Sequence, residues 1–249
     1  MRVSRLALVL FAAVPATLSA DTVVLEPALD NTLYEDPSGG LSNGIGTRMF
    51  SGRTNQPSGF RRRAVLQFDV AAQVPAGATI QSVTLTLAVV QTTAGSAHAF
   101  ALHRVLAGWE EGTSLATRDG QGGGGAAGPG SVTWIHRSHD DLFWASPGGD
   151  FQAQASASAS VAGSGSKPAW TGGSLAGDVQ GWLDDPGTNH GWVLLGPESS
   201  AQTARAFATG EASAASRPKL TIDFQPMVPV EPATWGRIKS ARAPMIGGP

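Results

Sequence analysis

The segment RRRAVLQFDVAAQVPAGATIQSVTLTL, residues 61–87, constrains the fold more than any other stretch of the chain. Ala64, Leu66 and Phe68 recur at every second position, and so do Val83, Leu85 and Leu87. A strand sends alternate side chains to opposite faces, so this spacing gives each stretch one apolar and one polar face. Pro75, Ala76 and Gly77 lie between them and supply a turn. The two halves read as a strand-turn-strand hairpin, and the fold class that follows is antiparallel all-β.

The rest of the chain agrees with that class. Residues 21–35 form a first strand region, residues 47–51 a short strand, and HAFALHRVL (98–106) alternates again. The run DGQGGGGAAGPG (119–130) is a flexible loop by composition; without a strand-loop-helix context or a closing Lys-Ser/Thr it is no phosphate cradle. QAQASASASV (152–161) reads as a strand of small residues, with a linker as the alternative. One short helix is expected over about 174–185, where Leu175, Val179, Trp182 and Leu183 make a single apolar stripe. Ser174 can cap it and Pro186-Gly187 ends it. Residues 190–195 read as a buried strand and 219–224 as the last one.

The first 20 residues have the form of a secretory signal. Arg2 and Arg5 precede an apolar run from Leu6 to Val14 that is too short to cross a bilayer, and small residues surround Ala20. No later stretch is long and apolar enough for a membrane helix. These readings place the mature chain outside the cell or at its surface. The absence of Cys rules out disulfides and thiol catalysis. Losing Arg2 and Arg5 leaves 15 Lys and Arg against 19 Asp and Glu, a charge of −4 that is no nucleic-acid footprint. From residue 226 to 249 the chain turns Pro-rich, then basic, and reads as a tail after a domain spanning 21–225.

Taken in order, DNTLYE (30–35), RRRAVLQFDV (61–70), VPAGATIQSVTLTL (74–87), LHRVLAGWEEGTS (102–114), DVQGWLDDPGTNHGWVLL (178–195) and RPKLTIDF (217–224) resemble the DNRLRE-type domain of secreted bacterial proteins. The resemblance covers about residues 27–224. It implies a jelly-roll-like antiparallel β-sandwich, usually non-catalytic, with relatives that bind acidic polysaccharide such as alginate. It leaves a structural or adhesive surface module as the alternative.

Candidate chemistry follows from residue types. Sugar recognition on a sandwich uses exposed aromatic faces, with Arg where the sugar is acidic; the candidates are Trp109, Trp144 and Trp170 in or near loops, with Arg61 and Arg63. Alternation puts Arg61 and Arg63 on the solvent face, where weak surface ion pairs are the alternative. A structural calcium would draw on Asp30, Glu35 and Asp36, acids that otherwise cap turns. His136, His139, Asp140 and Asp141 read as a solvated loop. No Gly-x-Ser-x-Gly elbow is present, and the adjacent pairs Glu110-Glu111 and Asp184-Asp185 cannot flank a glycosidic bond from one strand. A Tyr-based lyase would need Tyr34, a His and an Arg in one cleft.

Overall fold

A computed structural model describes residues 20–92, 95–118 and 120–227. Of the expected signal segment only Ala20, and of the tail only Pro226 and Met227, fall among them. In chain order the elements are β1 (Asp21–Leu25), β2 (Leu29–Tyr34), β3 (Leu41–Ser42), β4 (Arg48–Arg53), β5 (Arg61–Gln67), β6 (Thr79–Thr86), β7 (Val89–Thr92), β8 (His98–Arg104) and β9 (Gly125–Ala126). There follow β10 (His136–Ser138), β11 (Leu142–Phe143), β12 (Ala157–Val161), β13 (Ala169–Thr171), α1 (Gly173–Asp184), β14 (Trp192–Leu195), β15 (Arg205–Ala208) and β16 (Lys219–Gln225).

The architecture is an all-β sandwich. A small sheet runs β1-β16-β6-β13, and a large curled sheet runs β12-β8-β14-β5-β4-β15-β7. Strand β2 pairs along β5 on the side away from β14, because Ala64 faces Thr32 on one side and Leu194 on the other. The described pairings between strands are antiparallel. Between the sheets lies the main core. Leu85, Leu220 and Ile222 of the small sheet meet Leu66, Phe100, Leu102 and Trp192 of the large one, and α1 closes one end with Leu175, Val179, Trp182 and Leu183. Fully burying one such side chain contributes about 1.5–3 kcal/mol.

The alternation in β5 and β6 is as the sequence indicates, but the two strands do not form a hairpin. They lie in opposite sheets. Phe68, Val70, Val74 and Ala78 in the connection are all buried, so the chain crosses the core there instead of turning back. The two apolar faces still meet, across the sandwich rather than side by side. The helix stripe is buried as expected. Its N-cap is Gly172, with no side-chain cap bond, rather than Ser174. The small-residue run forms a strand only over Ala157–Val161, where it pairs with β8.

Candidate functional site

The outer face of the large sheet is not open to solvent over most of its width. The long segment between β8 and β12 folds across it. Val105, Trp109, Val132, Trp134 and Trp144 from this cover meet Leu33, Val65 and Val193 of the sheet in a second core. This overturns the expectation of exposed tryptophans. Trp109 is 6% exposed, Trp144 5% and Trp170 0%. Each indole N–H donates to a backbone carbonyl: Trp109 to His190 at 3.0 Å, Trp144 to Thr133 at 3.0 Å, Trp170 to Phe100 at 2.8 Å. Trp170 lies in β13 and faces the main core; it is not in a loop.

Arg61 and Arg63 do share the outward face of β5, yet that face is covered. Their guanidinium carbons sit 5.0 and 4.8 Å from the Trp134 ring centroid. Arg63 grips Glu198 with two bonds of 2.7 and 2.9 Å and donates to the Gly148 carbonyl. Arg61 holds Glu35 at 2.8 and 2.5 Å. Both cations already have carboxylate partners, so a ligand would have to displace Glu35 or Glu198.

The three acids expected to share a calcium do not converge. Glu35 is held by Arg61. Asp36 caps its own turn, accepting from the Ser38 amide and hydroxyl and from the Gly40 amide. Asp30 is 2% exposed and sits elsewhere: its Oδ2 accepts the Gly210 N–H at 2.7 Å, while its own N–H donates to Glu111 Oε1 at 2.6 Å. Among the described residues no three His, Cys, Asp or Glu side chains form a ready-made metal cage. Burial, with Glu211 and Glu111 adding repulsion, pushes the Asp30 carboxyl well above its usual range. Burial, with repulsion from Glu211, pushes Glu111 up to about 7.

A carboxyl whose pKa rises on folding stabilises the fold below its unfolded pKa, and that stability is lost as pH climbs through the folded value. Glu111 should therefore make the protein less stable between about pH 4.5 and 7. Urea midpoints across that window in the presence of a chelator should fall, and Glu111→Gln should flatten the fall.

Tyr34 is fully buried, and its hydroxyl donates to the Gln121 carbonyl at 3.0 Å. Arg62 lies over its ring, 5.1 Å from the centroid. The hydroxyl that a lyase would need is thus bound inside the protein. His136 and His139 lie with ring centroids 5.0 Å apart, and the Phe143 ring packs on His136.

Where the cover ends, the outer face opens into a groove of about 560 Å³. Phe50 of β4, Ala206 of β15 and Gln91 of β7 form one cross-strand row in its floor. The walls are the turn carrying Asn55 and Gln56, then Arg118, Gly120, Gly122 and Gly123, and Gln202. Tyr34, Arg62 and Asn43 fix the glycine wall: Arg62 Nε donates to the Gly122 carbonyl, and Asn43 Nδ2 to Gln121 Oε1. Gln121 and Gln202 have φ of 60° and 61°, a region where residues other than Gly are strained and which functional loops often use.

The lining is rich in donors. Gln91 Oε1 is taken by Arg48 at 2.7 Å, which leaves its amide NH2 for a ligand. The Arg118 guanidinium is exposed and forms no ion pair among the described residues. No Asp or Glu lines the groove among the described residues. Such a surface suits a hydroxyl-rich ligand, with an acceptor or negative charge near Arg118.

No family model matches the chain, and no curated protein matches it.

Sequence reading missed the groove because its residues come from several distant segments, none with a local pattern of its own. The one available signal was the glycine run at 119–130, of which Gly120, Gly122 and Gly123 make one wall.

Proposed function

We propose that this is a secreted, non-catalytic β-sandwich module that binds polysaccharide at or outside the cell surface, and that the groove between Phe50 and Arg118 receives the sugar chain. The observation that carries this reading is the groove itself: a Phe50 floor, several side-chain amides and the Arg118 guanidinium, which forms no ion pair among the described residues, with no carboxylate among the described lining residues. The ordered set of segments that resembles the DNRLRE-type domain supports the same reading. The resemblance and the Arg118 charge together favour an acidic polysaccharide.

A second reading has its own observation. All six tryptophans among the described residues are buried, as they would be in a structural or adhesive surface module that takes no sugar.

Retention of the full chain on acidic and neutral polysaccharides separates the two. An acidic glycan should retain it, and retention should weaken as salt rises. Arg118→Gln should weaken binding by about ten- to a hundredfold, the worth of one charge-assisted hydrogen bond. The circular dichroism spectrum should stay unchanged, because Arg118 is exposed. No retention by any glycan, with the fold intact, would leave the structural module as the better account.

A further inference from the structure

We propose that Arg62 is the positioning residue of the groove: its buried guanidinium ties two opposite walls together and fixes the width that a glycan chain meets. The part that concerns the glycan rests on the groove being a glycan site; the tie itself does not.

Arg62 lies in β5, paired with Tyr34 of β2 and with Gly52 of β4, and is only 3% exposed. Its guanidinium reaches both walls. On the turn side Nη1 donates to the Gly59 carbonyl at 2.6 Å and Nη2 to Gln56 Oε1 at 3.4 Å. On the glycine side Nε donates to the Gly122 carbonyl at 3.2 Å. Gln56 and Gly122 line the groove and Arg62 does not, so Arg62 acts through the walls.

The remaining bonds hold each wall separately. The turn loop is closed by the Thr54 N–H on the Phe60 carbonyl at 2.9 Å. The glycine wall is held by the Tyr34 hydroxyl on the Gln121 carbonyl at 3.0 Å and by turns that the Gln121 and Gly124 amides close. Among the described residues no backbone hydrogen bond runs from residues 54–60 to residues 118–124. Arg62 supplies the link that the backbone does not.

The choice of residue fits that role. Arg62 has no carboxylate partner among the described residues. Burying a cation carries a desolvation cost that a well-packed apolar side chain would avoid. What the guanidinium adds is a rigid fork of donors aimed in several directions at once, which the point charge of Lys does not reproduce. The Tyr34 ring lies against the fork, 5.1 Å from it, and meets the Phe50 ring of the floor at 6.4 Å. Floor and walls thus join one buried unit, and a groove set in advance loses less freedom when a chain enters it.

The test uses the full chain and two variants, read by amide hydrogen exchange and by retention on an acidic glycan across a salt series. Arg62→Lys keeps the charge and breaks the fork. Exchange should quicken about three- to tenfold at Thr54 in the turn loop and at Gln121 and Gly124 in the glycine wall, while the amides of β8 and β14 keep their rates. Tyr34→Phe keeps the ring and removes one bond, so only the glycine wall should quicken. Arg62→Lys should weaken glycan binding about three- to tenfold with the salt slope of wild type, because no charge is lost; Arg118→Gln should flatten that slope. Wild-type exchange at both walls in Arg62→Lys would overturn the tie, and so would exchange that quickens equally through the central strands, the mark of a merely structural residue. Wild-type glycan affinity in a variant with loosened walls would overturn the positioning role and leave the groove as the glycan site. If wild type binds no glycan, the glycan reading falls by itself, and exchange at the walls alone upholds or overturns the tie.

Discussion

Trp170→Ala should lower the unfolding free energy by about 3–5 kcal/mol, the cost of removing a large buried aromatic side chain. For a domain of this size each kcal/mol moves Tm by roughly 2–4 °C, so the loss should be plain in a thermal scan. Trp170 is fully buried, and its ring meets Phe207 edge-on at 6.3 Å. Its strand pairs with β6 in the small sheet, while its indole N–H donates to the Phe100 carbonyl of the large one. One side chain thus links the two layers of the sandwich. Alanine would leave a cavity and an unpaired carbonyl; Trp170→Phe would fill most of the space and lose the bond alone, at about 1–3 kcal/mol. Glycan retention per folded molecule should be unchanged in the phenylalanine variant. A variant with wild-type stability and lost retention would put Trp170 at a ligand surface and contradict its place in the core.

The contrast between Trp170 and Trp182 shows how far sequence carries. Trp182 and Trp192 stand in apolar runs with helix or strand period, and local pattern is enough to bury them. Trp109, Trp144 and Trp170 have polar or small neighbours, and local pattern sends them to the surface. Their burial depends on a partner layer that comes from elsewhere in the chain, and on backbone carbonyls placed to accept each indole N–H. The same holds for Arg61 and Arg63. Period-two alternation puts them correctly on the outward face of β5, but whether that face meets water is decided by residues 105–156. Strand-level chemistry is legible in the sequence; the stacking of a third layer is not.

Sheet membership failed for a related reason. Alternation in residues 61–87 identifies two strands and the face each one buries, because those properties repeat every two residues. Which strand each pairs with is set by the connection. There the apolar spacing of Phe68, Val70, Val74 and Ala78 is what sends the chain across the core. The candidate sites were less legible still. Gln91 meets Phe50 through the β7-β15-β4 ladder while the glycine loop brings Arg118 to the same groove, and Asp30 meets Glu111 through a backbone-to-carboxylate bond. No spacing in the sequence records either meeting.

Gly191 should be among the least replaceable residues of the chain, although its side chain does no chemistry. It follows the Asn189-His190 turn and leads into β14, which lies between β5 and β8 at the centre of the large sheet. Its φ is 71°, and a Cβ there would lie 2.1 Å from the Leu66 carbonyl oxygen and 2.8 Å from Gln67 Cα. Those atoms are backbone of β5, so no side chain can swing aside to make room. A β-branched residue would add the strain of the left-handed region to that clash. Gly191→Val should therefore cost about 3–5 kcal/mol, combining an overpacked core with a strained backbone. Gly177 supplies the opposite case. It lies in the interior of α1, is exposed, and a Cβ there meets nothing within 4 Å. Gly177→Ala should stabilise the fold by about 0.5–1 kcal/mol through helix propensity and a less free unfolded chain. Urea midpoints measured side by side should move in opposite directions. A Gly191→Val protein as stable as wild type would mean that β14 does not enter the sheet along this path, and the pairing of Trp192 with Leu66 would have to be redrawn.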